Sequence, residues 1–309
     1  MATNEVTNER SYEESRTTSV FAGEGSTGEY RPERSEIDVP RMTGAGLAGV
    51  QDAPQMSREE HHKAVRNGEI GSIHSWELVT AVDGPGTRLT VFFNGCPLRC
   101  VYCHNPDTFK MRDGKPVLAE DIEKLLLRYG PVFKASKGGV TFSGGEPAMQ
   151  PAFLARLLRF AKENGIHTTI DTSGYLGVNI SDQMLADIDL VLLDVKSGDE
   201  ATYEKVTKAK LAPTVAFGDR LAAANKAVWI RFVLLPGWTD NPENIREVGK
   251  IIQRWSNVER VELLPFHQMA RDKWSDLGYD YQLENVEPPS KEDAEKAREI
   301  LRSMGLTVY

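Results

Sequence analysis

Three cysteines form the most informative group of side chains in this chain of 309 residues. Cys96, Cys100 and Cys103 follow one another in the pattern Cys-x3-Cys-x2-Cys, and the sequence holds no other cysteine. Thiolates bind soft metals, so this spacing is typical of a zinc site or an iron–sulfur cluster. A disulfide scaffold would instead spread an even number of cysteines along the chain. The group therefore predicts a metal site in a reducing compartment.

The number of available ligands bears on the choice between these metals. A structural zinc site takes four protein ligands, and His104 would complete a Cys3His set. A [4Fe–4S] cluster usually takes four thiolates, so three cysteines would leave one iron open to a substrate or cofactor. Because catalysis requires such an open position, the spacing favours an iron–sulfur cluster and keeps zinc as the alternative.

The elements that must position this loop can be read from an alternating pattern after residue 68. Six short, β-branched runs are almost continuously apolar, as expected of strands buried on both faces of a parallel sheet. These predicted strands are 88–93, 139–142, 167–171, 190–195, 228–235 and 258–264. Helical patterns lie at 117–129, 152–164, 181–188, 218–226, 242–256 and 291–304. The alternation predicts an α/β fold, a partial (βα)6 TIM-like barrel.

Polar or glycine-rich sequence follows each predicted strand. In a (βα) barrel these strand ends meet at one mouth, where functional groups collect. The groups in question are the cysteine loop, Ser143-Gly-Gly-Glu146, Asp171-Thr172, Asp194-Val-Lys196, Arg231 and His267. Together they suit a zwitterionic, nucleoside-bearing ligand. The glycines allow close backbone approach, the basic side chains suit a carboxylate, and the Asp and Thr oxygens suit a cation.

Residues 1–67 differ in composition from the rest. Between residues 17 and 49, Gly, Ser, Thr, Glu and Arg dominate, and neither helical nor strand periodicity is sustained. This composition cannot bury enough surface to offset the entropy of ordering. We therefore expect a disordered or weakly ordered extension over 1–67, followed by one domain over 68–309.

Charge and hydropathy exclude two classes of partner. With 37 basic and 45 acidic residues, the formal net charge is −8, which argues against nucleic-acid binding. No apolar run approaches the roughly 18 residues that a membrane-spanning helix needs. The N-terminal residues also lack the basic and apolar regions of a secretory signal. We expect a cytoplasmic protein with no membrane partner.

Several motifs together are similar to those of one enzyme family. The cysteine motif with Gly-Gly-Glu resembles the radical S-adenosylmethionine enzymes, and more specifically the members that activate glycyl-radical enzymes. The motifs that carry this closer resemblance are 71–77, 83–88, 102–105, 143–146, 171–172, 194–196, 229–231, 236–238 and 263–267. The resemblance covers residues 69–309 and implies the (βα)6 fold of that family.

The resemblance implies a reaction and a protein substrate. The three cysteines would bind a [4Fe–4S] cluster, and the amino and carboxylate groups of S-adenosylmethionine would chelate its fourth iron. One electron would then cleave this cofactor to methionine and a 5′-deoxyadenosyl radical. That radical would take a hydrogen atom from a backbone glycine of pyruvate formate-lyase. The implied reductant is flavodoxin or ferredoxin, and we expect the chain to be a monomer.

The resemblance also implies roles for single residues. The residues implied beside S-adenosylmethionine are Tyr102, His104, Asn105, Gly144, Gly145, Glu146, Asp194, Lys196, Arg231 and His267. Of these, Gly144, Gly145 and Glu146 would meet its amino group. A monovalent cation, Na⁺ or K⁺, is implied at Asp171, Thr172, Asp194 and the Leu192 carbonyl. Asp83 corresponds to the region that meets the glycine loop of the protein substrate. Many members of the family have Asn at the position of Ser173, which is next to the matched cation ligands Asp171 and Thr172.

Two other functions are consistent with part of the sequence. The first is activation of a different glycyl-radical enzyme. Many such activases insert a ferredoxin-like module with extra cysteines, which this chain does not have. The second is a non-catalytic iron–sulfur electron carrier, which would not need polar groups at six strand ends.

Overall fold

One twisted sheet organises the molecule. The structure, a computed structural model, describes residues 47–80 and 82–309. The strands are β1 (Ile70–Thr80), β2 (Thr87–Phe93), β3 (Lys115–Leu118), β4 (Gly139–Gly144), β5 (His167–Thr172), β6 (Leu190–Asp194), β7 (Ala227–Leu234) and β8 (Val258–Pro265). Their order across the sheet is β3-β1-β2-β4-β5-β6-β7-β8.

The parallel part of the sheet consists of β2 and β4 to β8 in sequence order. These six strands are the six that the sequence predicts, so the partial (βα)6 barrel is confirmed. In the described part of the chain β3 and β8 form the two edges of the sheet, and the barrel therefore stays open at one side.

The two strands that the sequence analysis misses are antiparallel. β1 pairs with both β2 and β3 and extends the sheet beyond the barrel. Its sequence intersperses polar and small residues with apolar ones, so it lacks the continuous apolar character of the other strands. β3 has four residues and contains Pro116, which suits an edge strand because proline cannot donate a ladder hydrogen bond.

Helices alternate with the parallel strands along the chain. They are α1 (Arg58–Arg66), α2 (Ala119–Ser136), α3 (Pro151–Glu163), α4 (Asp182–Asp187), α5 (Glu200–Thr207), α6 (Ala212–Ala223), α7 (Pro242–Ile252), α8 (Arg271–Asp276) and α9 (Lys291–Ser303). The predicted patterns match α2, α3, α4, α6, α7 and α9, with shifted ends. The helices α5 and α8, of eight and six residues, are not among the predicted patterns. Among the described residues, none of the helices has the length and apolar character needed to cross a bilayer.

The end of the predicted extension is ordered, and the expectation of weak order up to residue 67 is wrong for residues 58–66. Ser57 and Glu60 form a capping box that starts α1, and the helix is buried at Ala64. Upstream, Val50 joins the hydrophobic core, and the indole Nε1 of Trp76 donates to the Ala48 carbonyl at 3.1 Å. Residues 1–46 of the predicted extension lie outside the described residues, and a domain boundary at residue 67 stays a prediction.

The two faces of the parallel strands differ in chemistry. Successive side chains of a strand point to opposite faces, so alternate residues face the helices and the barrel interior. On the helix side, Leu89, Val91 and Phe93 of β2 are fully buried in the apolar core. On the interior side, Arg88 and Thr90 of the same strand are equally buried. The barrel interior is therefore polar, and its polar groups need partners.

Candidate active site

The cysteine loop follows β2 and is fixed from two sides by backbone hydrogen bonds. The Arg99 and Val101 amides donate to the Thr207 and Val206 carbonyls at the end of α5, at 2.8 and 2.9 Å. From the other side, Nε1 of Trp274 in α8 donates to the Cys103 carbonyl at 2.9 Å. The loop is therefore preorganised by the fold, and α5 and α8, which the sequence analysis misses, are the helices that hold it.

All three thiols are free and withdrawn from solvent. Cys100 is buried, and Cys96 and Cys103 are half-buried. Burial raises the pKa of each thiol, that of Cys103 to about 12, because it penalises the charged form. Coordination offsets this penalty, because a thiol that binds a metal loses its proton.

The number of ligands bears on the metal that the loop can hold. The loop supplies three thiols, and the chain has no fourth cysteine. A cubane takes each thiolate at a different iron, so three thiols would leave its fourth iron open to a ligand. A Cys3His zinc site with His104 is the alternative on ligand count alone.

The strand ends meet in one cavity of about 330 Å³ beside the cysteine loop. Its lining contains every predicted site residue except Glu146 and Leu192: Asp83, Cys96, Cys100, Tyr102, Cys103, His104, Asn105, Gly144, Gly145, Asp171, Thr172, Asp194, Lys196, Arg231 and His267. The expectation that these side chains collect at one barrel mouth is therefore correct. Sequence reasoning misses the apolar members of the wall, among them Phe92, Leu98 and Phe109.

A second pocket, of about 500 Å³, lies between α5 and the start of α7. It is lined by carboxylates such as Asp199, Asp240 and Glu247. It contains no thiol and none of the predicted site residues. This second pocket is therefore not part of the site at the strand ends.

The paired glycines at the end of β4 are required by close backbone packing. Gly144 has φ +108°, and a Cβ added there would lie 2.3 Å from the Phe93 amide nitrogen. A Cβ on Gly145 would lie 2.5 Å from the Gly95 carbonyl oxygen. Since this backbone leads into the cysteine loop, any larger residue would displace the loop. The glycines thus bring the β4 end against the loop as well as lining the cavity.

Glu146 does not line the cavity, and its contact with the amino group of a ligand stays a prediction. Its side chain is fully buried, and both carboxylate oxygens already accept hydrogen bonds. Thr172 Oγ1 donates to Oε1 at 2.7 Å, and the Ser173 amide and hydroxyl donate to Oε2 at 3.0 and 2.6 Å. The short 3-10 turn that starts at Pro147 directs the side chain inward. Glu146 therefore ties the β4 and β5 ends together, and Ser173 takes part in that tie.

Charged side chains of the wall form two ion-paired groups. Lys196 Nζ lies 2.9 Å from Asp194 Oδ2. Arg231 pairs with Asp171 at 3.2 Å and with Asp83 and Glu262 at 3.3 Å each. Burial raises the pKa of Asp171 to about 6, and Arg231 opposes that rise. The two predicted cation-binding carboxylates, Asp171 and Asp194, are thus brought to the cavity, each beside a basic side chain.

Part of the wall has buried polar atoms without partners. Tyr102 Oη and His267 Nδ1 have no hydrogen-bond partner among the described residues. The rings of His104 and His267 meet edge to face with centroids 4.0 Å apart, and Lys196 Nζ lies 5.7 Å from the Tyr102 ring centroid. Buried polar atoms are normally satisfied, so these two atoms of the cavity wall are available to a polar ligand.

Asn105 is oriented by a residue that the sequence analysis misses. Lys273 of α8 donates to Asn105 Oδ1 at 3.1 Å and also pairs with Asp107 at 3.3 Å. Because the amide oxygen is occupied, the Asn105 amino group is left to face other acceptors. Lys273 is distant in sequence from the loop, and no local motif signals this contact.

Comparison with known proteins agrees with this geometry. Residues 90–248 match the radical SAM superfamily, where SAM denotes S-adenosylmethionine. The chain is similar to the radical SAM methyltransferase of Sphaerobacter thermophilus, with a TM-score of 0.55 over 84% of this chain and 76% of that one. At 16% identity this likeness bears on the fold alone. The chain belongs to the radical SAM superfamily.

Two curated relatives define the branch of that superfamily. The chain is 48% identical to the pyruvate formate-lyase-activating enzyme of Clostridium pasteurianum, over 76% of this chain and 98% of the relative. It is 41% identical to the pyruvate formate-lyase 1-activating enzyme of Escherichia coli K12, over 76% of this chain and 97% of the relative. Within the superfamily, the chain belongs to the family of pyruvate formate-lyase-activating enzymes.

Proposed function

We propose that this chain activates pyruvate formate-lyase by generating a glycyl radical on its backbone. The observation that carries the proposal is the meeting of six strand ends and three free thiols in one cavity. When bound, the [4Fe–4S] cluster and S-adenosylmethionine supply reductive cleavage to methionine and a 5′-deoxyadenosyl radical, which takes hydrogen from a glycine. The protein contributes binding, orientation and exclusion of water. The membership of the activating-enzyme family supports pyruvate formate-lyase over the other partners considered.

The residues present fit both cofactors. Cys96, Cys100 and Cys103 would hold the cluster, since the chain has no fourth thiol and belongs to the radical SAM superfamily. The side of the cavity with unpartnered Tyr102 Oη and His267 Nδ1 would receive S-adenosylmethionine. Both atoms would gain the hydrogen-bond partners that the folded chain does not give them.

The charged groups of the wall would orient the zwitterionic end of that cofactor. Lys196 is the basic group nearest to Tyr102, and it would bind the carboxylate while Asp194 keeps it charged. Arg231 would contribute less directly to binding the carboxylate, because its guanidinium already pairs with three carboxylates of the protein. Backbone groups of Gly144 and Gly145 would meet the amino group.

A monovalent cation, Na⁺ or K⁺, would bind beside Asp171, Thr172 and Asp194. Hard oxygen donors suit such an ion, and these three residues line one part of the cavity. The Leu192 carbonyl would complete the set. Asp83 lines the same cavity and belongs to the turn that would meet the glycine loop of the substrate protein.

The remaining partners follow from the chemistry. Reductive cleavage needs a one-electron donor, for which we propose a flavodoxin or ferredoxin. We also propose that the chain works as a monomer that docks transiently on its substrate protein. A cytoplasmic location would keep the three thiols reduced and available for the cluster.

The test is direct formation of both products. The protein is reconstituted with iron and sulfide under anaerobic conditions, reduced, and supplied with S-adenosylmethionine and pyruvate formate-lyase. We expect 5′-deoxyadenosine by chromatography and a glycyl radical by electron paramagnetic resonance, in comparable amounts. A substrate variant with alanine at the radical-bearing glycine is the control, and it should give no glycyl signal.

Three other results would change the assignment. A glycyl radical on a different glycyl-radical enzyme, with none on pyruvate formate-lyase, would move the chain to another substrate. Cluster assembly without any 5′-deoxyadenosine would favour the electron-carrier function. Zinc retention with no iron–sulfur absorbance would overturn the cluster.

A further inference from the structure

Arg88 is buried inside the barrel without a carboxylate partner. Its side chain is fully buried on the interior face of β2, and no ion pair among the described residues includes it. Burying a guanidinium is costly unless its donors are satisfied. The contacts that satisfy these donors therefore indicate what the residue does.

The Arg88 guanidinium donates hydrogen bonds to three parts of the chain: β4, β5 and the backbone at Pro85. Its Nε donates to Thr141 Oγ1 of β4 at 2.6 Å, and Nη2 donates to Thr169 Oγ1 of β5 at 2.8 Å. Nη2 also contacts the Val140 and His167 carbonyls at 2.5 and 3.2 Å. On the third side, Nη1 donates to the Pro85 carbonyl at 3.1 Å. We call Arg88, Thr141, Thr169 and His167 the barrel floor.

One branch of this network ends at the turn formed by residues 82–86. Thr141 Oγ1, which accepts from Arg88, donates to the Asp83 carbonyl at 2.6 Å. Gly84 has φ +117° and lies over the Arg88 side chain, where a Cβ would come 3.0 Å from Cδ. Thus the backbone on both sides of Gly84, at Asp83 and Pro85, is fastened to Arg88 directly or through one hydroxyl.

The other branch stays in the barrel floor. Thr169 accepts from Arg88 just as Thr141 does, and both threonines are fully buried. Among the described residues, no hydrogen bond of the Thr169 side chain reaches the 82–86 turn. The chain thus supplies a matched pair of hydroxyls that differ in whether they continue to Asp83.

We propose that Arg88 is a positioning residue that fixes the 82–86 turn through Pro85 and Thr141, and so sets the place of Asp83 at the cavity. This inference rests on the proposed function, because the turn matters to catalysis only if it meets the protein substrate. Arg231 holds the same turn from the cavity side, through the Val82 carbonyl at 2.5 Å. Arg88 holds the turn from the barrel interior.

The test compares Thr141→Val with Thr169→Val, which remove one hydroxyl each and keep the side-chain shape. Initial rates of glycyl-radical formation are measured against the concentration of pyruvate formate-lyase, together with the 5′-deoxyadenosine formed per radical. For Thr141→Val we expect the KM for the substrate protein to rise about tenfold, the usual effect of one lost hydrogen bond. The ratio of 5′-deoxyadenosine to glycyl radical should rise as well. For Thr169→Val both quantities should stay within about twofold of the unmodified protein.

The outcomes separate this inference from the proposed function. If the unmodified protein makes no glycyl radical, the proposed function itself fails. If it does, and both variants show the same KM and the same product ratio, Arg88 only stabilises the barrel and the inference is wrong. Arg88→Lys should raise the KM for the substrate protein more than Thr141→Val does. The ammonium group of lysine cannot donate to the Pro85 carbonyl and to Thr141 Oγ1 at the same time. Cluster content and thermal unfolding of each variant show whether it is folded.

Discussion

The barrel floor and the cavity above it are both polar and buried, but they differ in how their polar atoms are satisfied. In the floor, each donor group of Arg88 finds an acceptor on β4, β5 or the 82–86 turn. In the cavity, Tyr102 Oη and His267 Nδ1 have no partner in the described part of the chain. The satisfied groups of the floor hold strands and a turn together, whereas the two unpartnered atoms of the cavity are available to a polar ligand.

Glu146 tests this distinction, because a motif associated with cofactor binding belongs structurally to the satisfied group. Its carboxylate accepts from Thr172 and Ser173 and is closed off from the cavity. Lys196 lines the cavity and has one ion-pair partner, Asp194, so its ammonium group, with three donors, keeps two for a ligand. We therefore expect substitutions of the satisfied residues to change stability, and substitutions of the cavity residues to change ligand binding.

The largest effect is expected in the cysteine loop. Cys100→Ala should abolish the cluster, because the chain has no spare thiol to replace this ligand. Iron and sulfide content after reconstitution, with the visible absorbance of the cluster, measures the loss. Pro97→Ala, in the same loop but without a donor side chain, is the matched control and should retain the cluster. Full iron and sulfide in Cys100→Ala would refute the ligand assignment.

Removal of the basic group in the cavity should affect binding with little effect on cluster assembly. Lys196→Ala should weaken S-adenosylmethionine binding by about ten- to a hundredfold, the range for a hydrogen bond to a charged group. Equilibrium binding to the reconstituted protein measures it. Lys205→Ala removes an exposed lysine over the Trp238 ring and should bind normally. An unchanged isotherm for Lys196→Ala would move it to the structural group.

Glu146→Gln should reduce stability, even though the substitution preserves shape. A glutamine amino group would face the Ser173 amide, so two donors would oppose each other where the carboxylate now accepts. We expect a loss of about 1–3 kcal/mol in the free energy of unfolding, the cost of an unsatisfied buried group. Chemical denaturation of the metal-free protein measures it, with exposed Glu204→Gln as the control. Equal stability of both variants would mean that the tie at the β4 and β5 ends contributes nothing.

The sequence predicts the barrel well because each parallel strand is rich in β-branched or apolar residues and each strand end is polar. These are local properties, and they also bring the cysteines and Asp171, Asp194, Arg231 and His267 to one mouth. The direction of a side chain after a strand end is not local. Glu146 points away from the cavity because the following turn starts at Pro147. Its place could not be deduced from the neighbouring glycines.

Contacts between distant segments escape sequence reasoning for a related reason. Lys273 orients Asn105 from a short helix with little periodicity, and Glu262 meets Arg231 across neighbouring strands. Both pairings depend on tertiary packing, and neither residue belongs to a recognisable motif. Arg88 does lie in such a motif, but the sequence does not reveal that its guanidinium crosses the barrel.

The smallest predicted effect lies in the floor and concerns pH. Burial lowers the pKa of His167 from its ordinary value of 6.5, and the nearby Arg88 guanidinium, at 3.4 Å, lowers it further. Asp189 opposes this shift and Lys162 adds to it. The folded protein therefore binds fewer protons than the unfolded chain just below pH 6.5. The free energy of unfolding should fall as the pH drops through that window.

His167→Gln removes this titration but keeps the backbone carbonyl that accepts from Arg88 at 3.2 Å. The unfolding free energy of the metal-free protein, measured between pH 7.5 and 5.5, should therefore depend less on pH in this variant. Other groups titrate in both proteins, so the difference between the two slopes carries the information. Parallel curves would show that His167 takes up its proton without cost. The floor would then be less tightly satisfied than its hydrogen bonds indicate, and its contrast with the cavity would weaken.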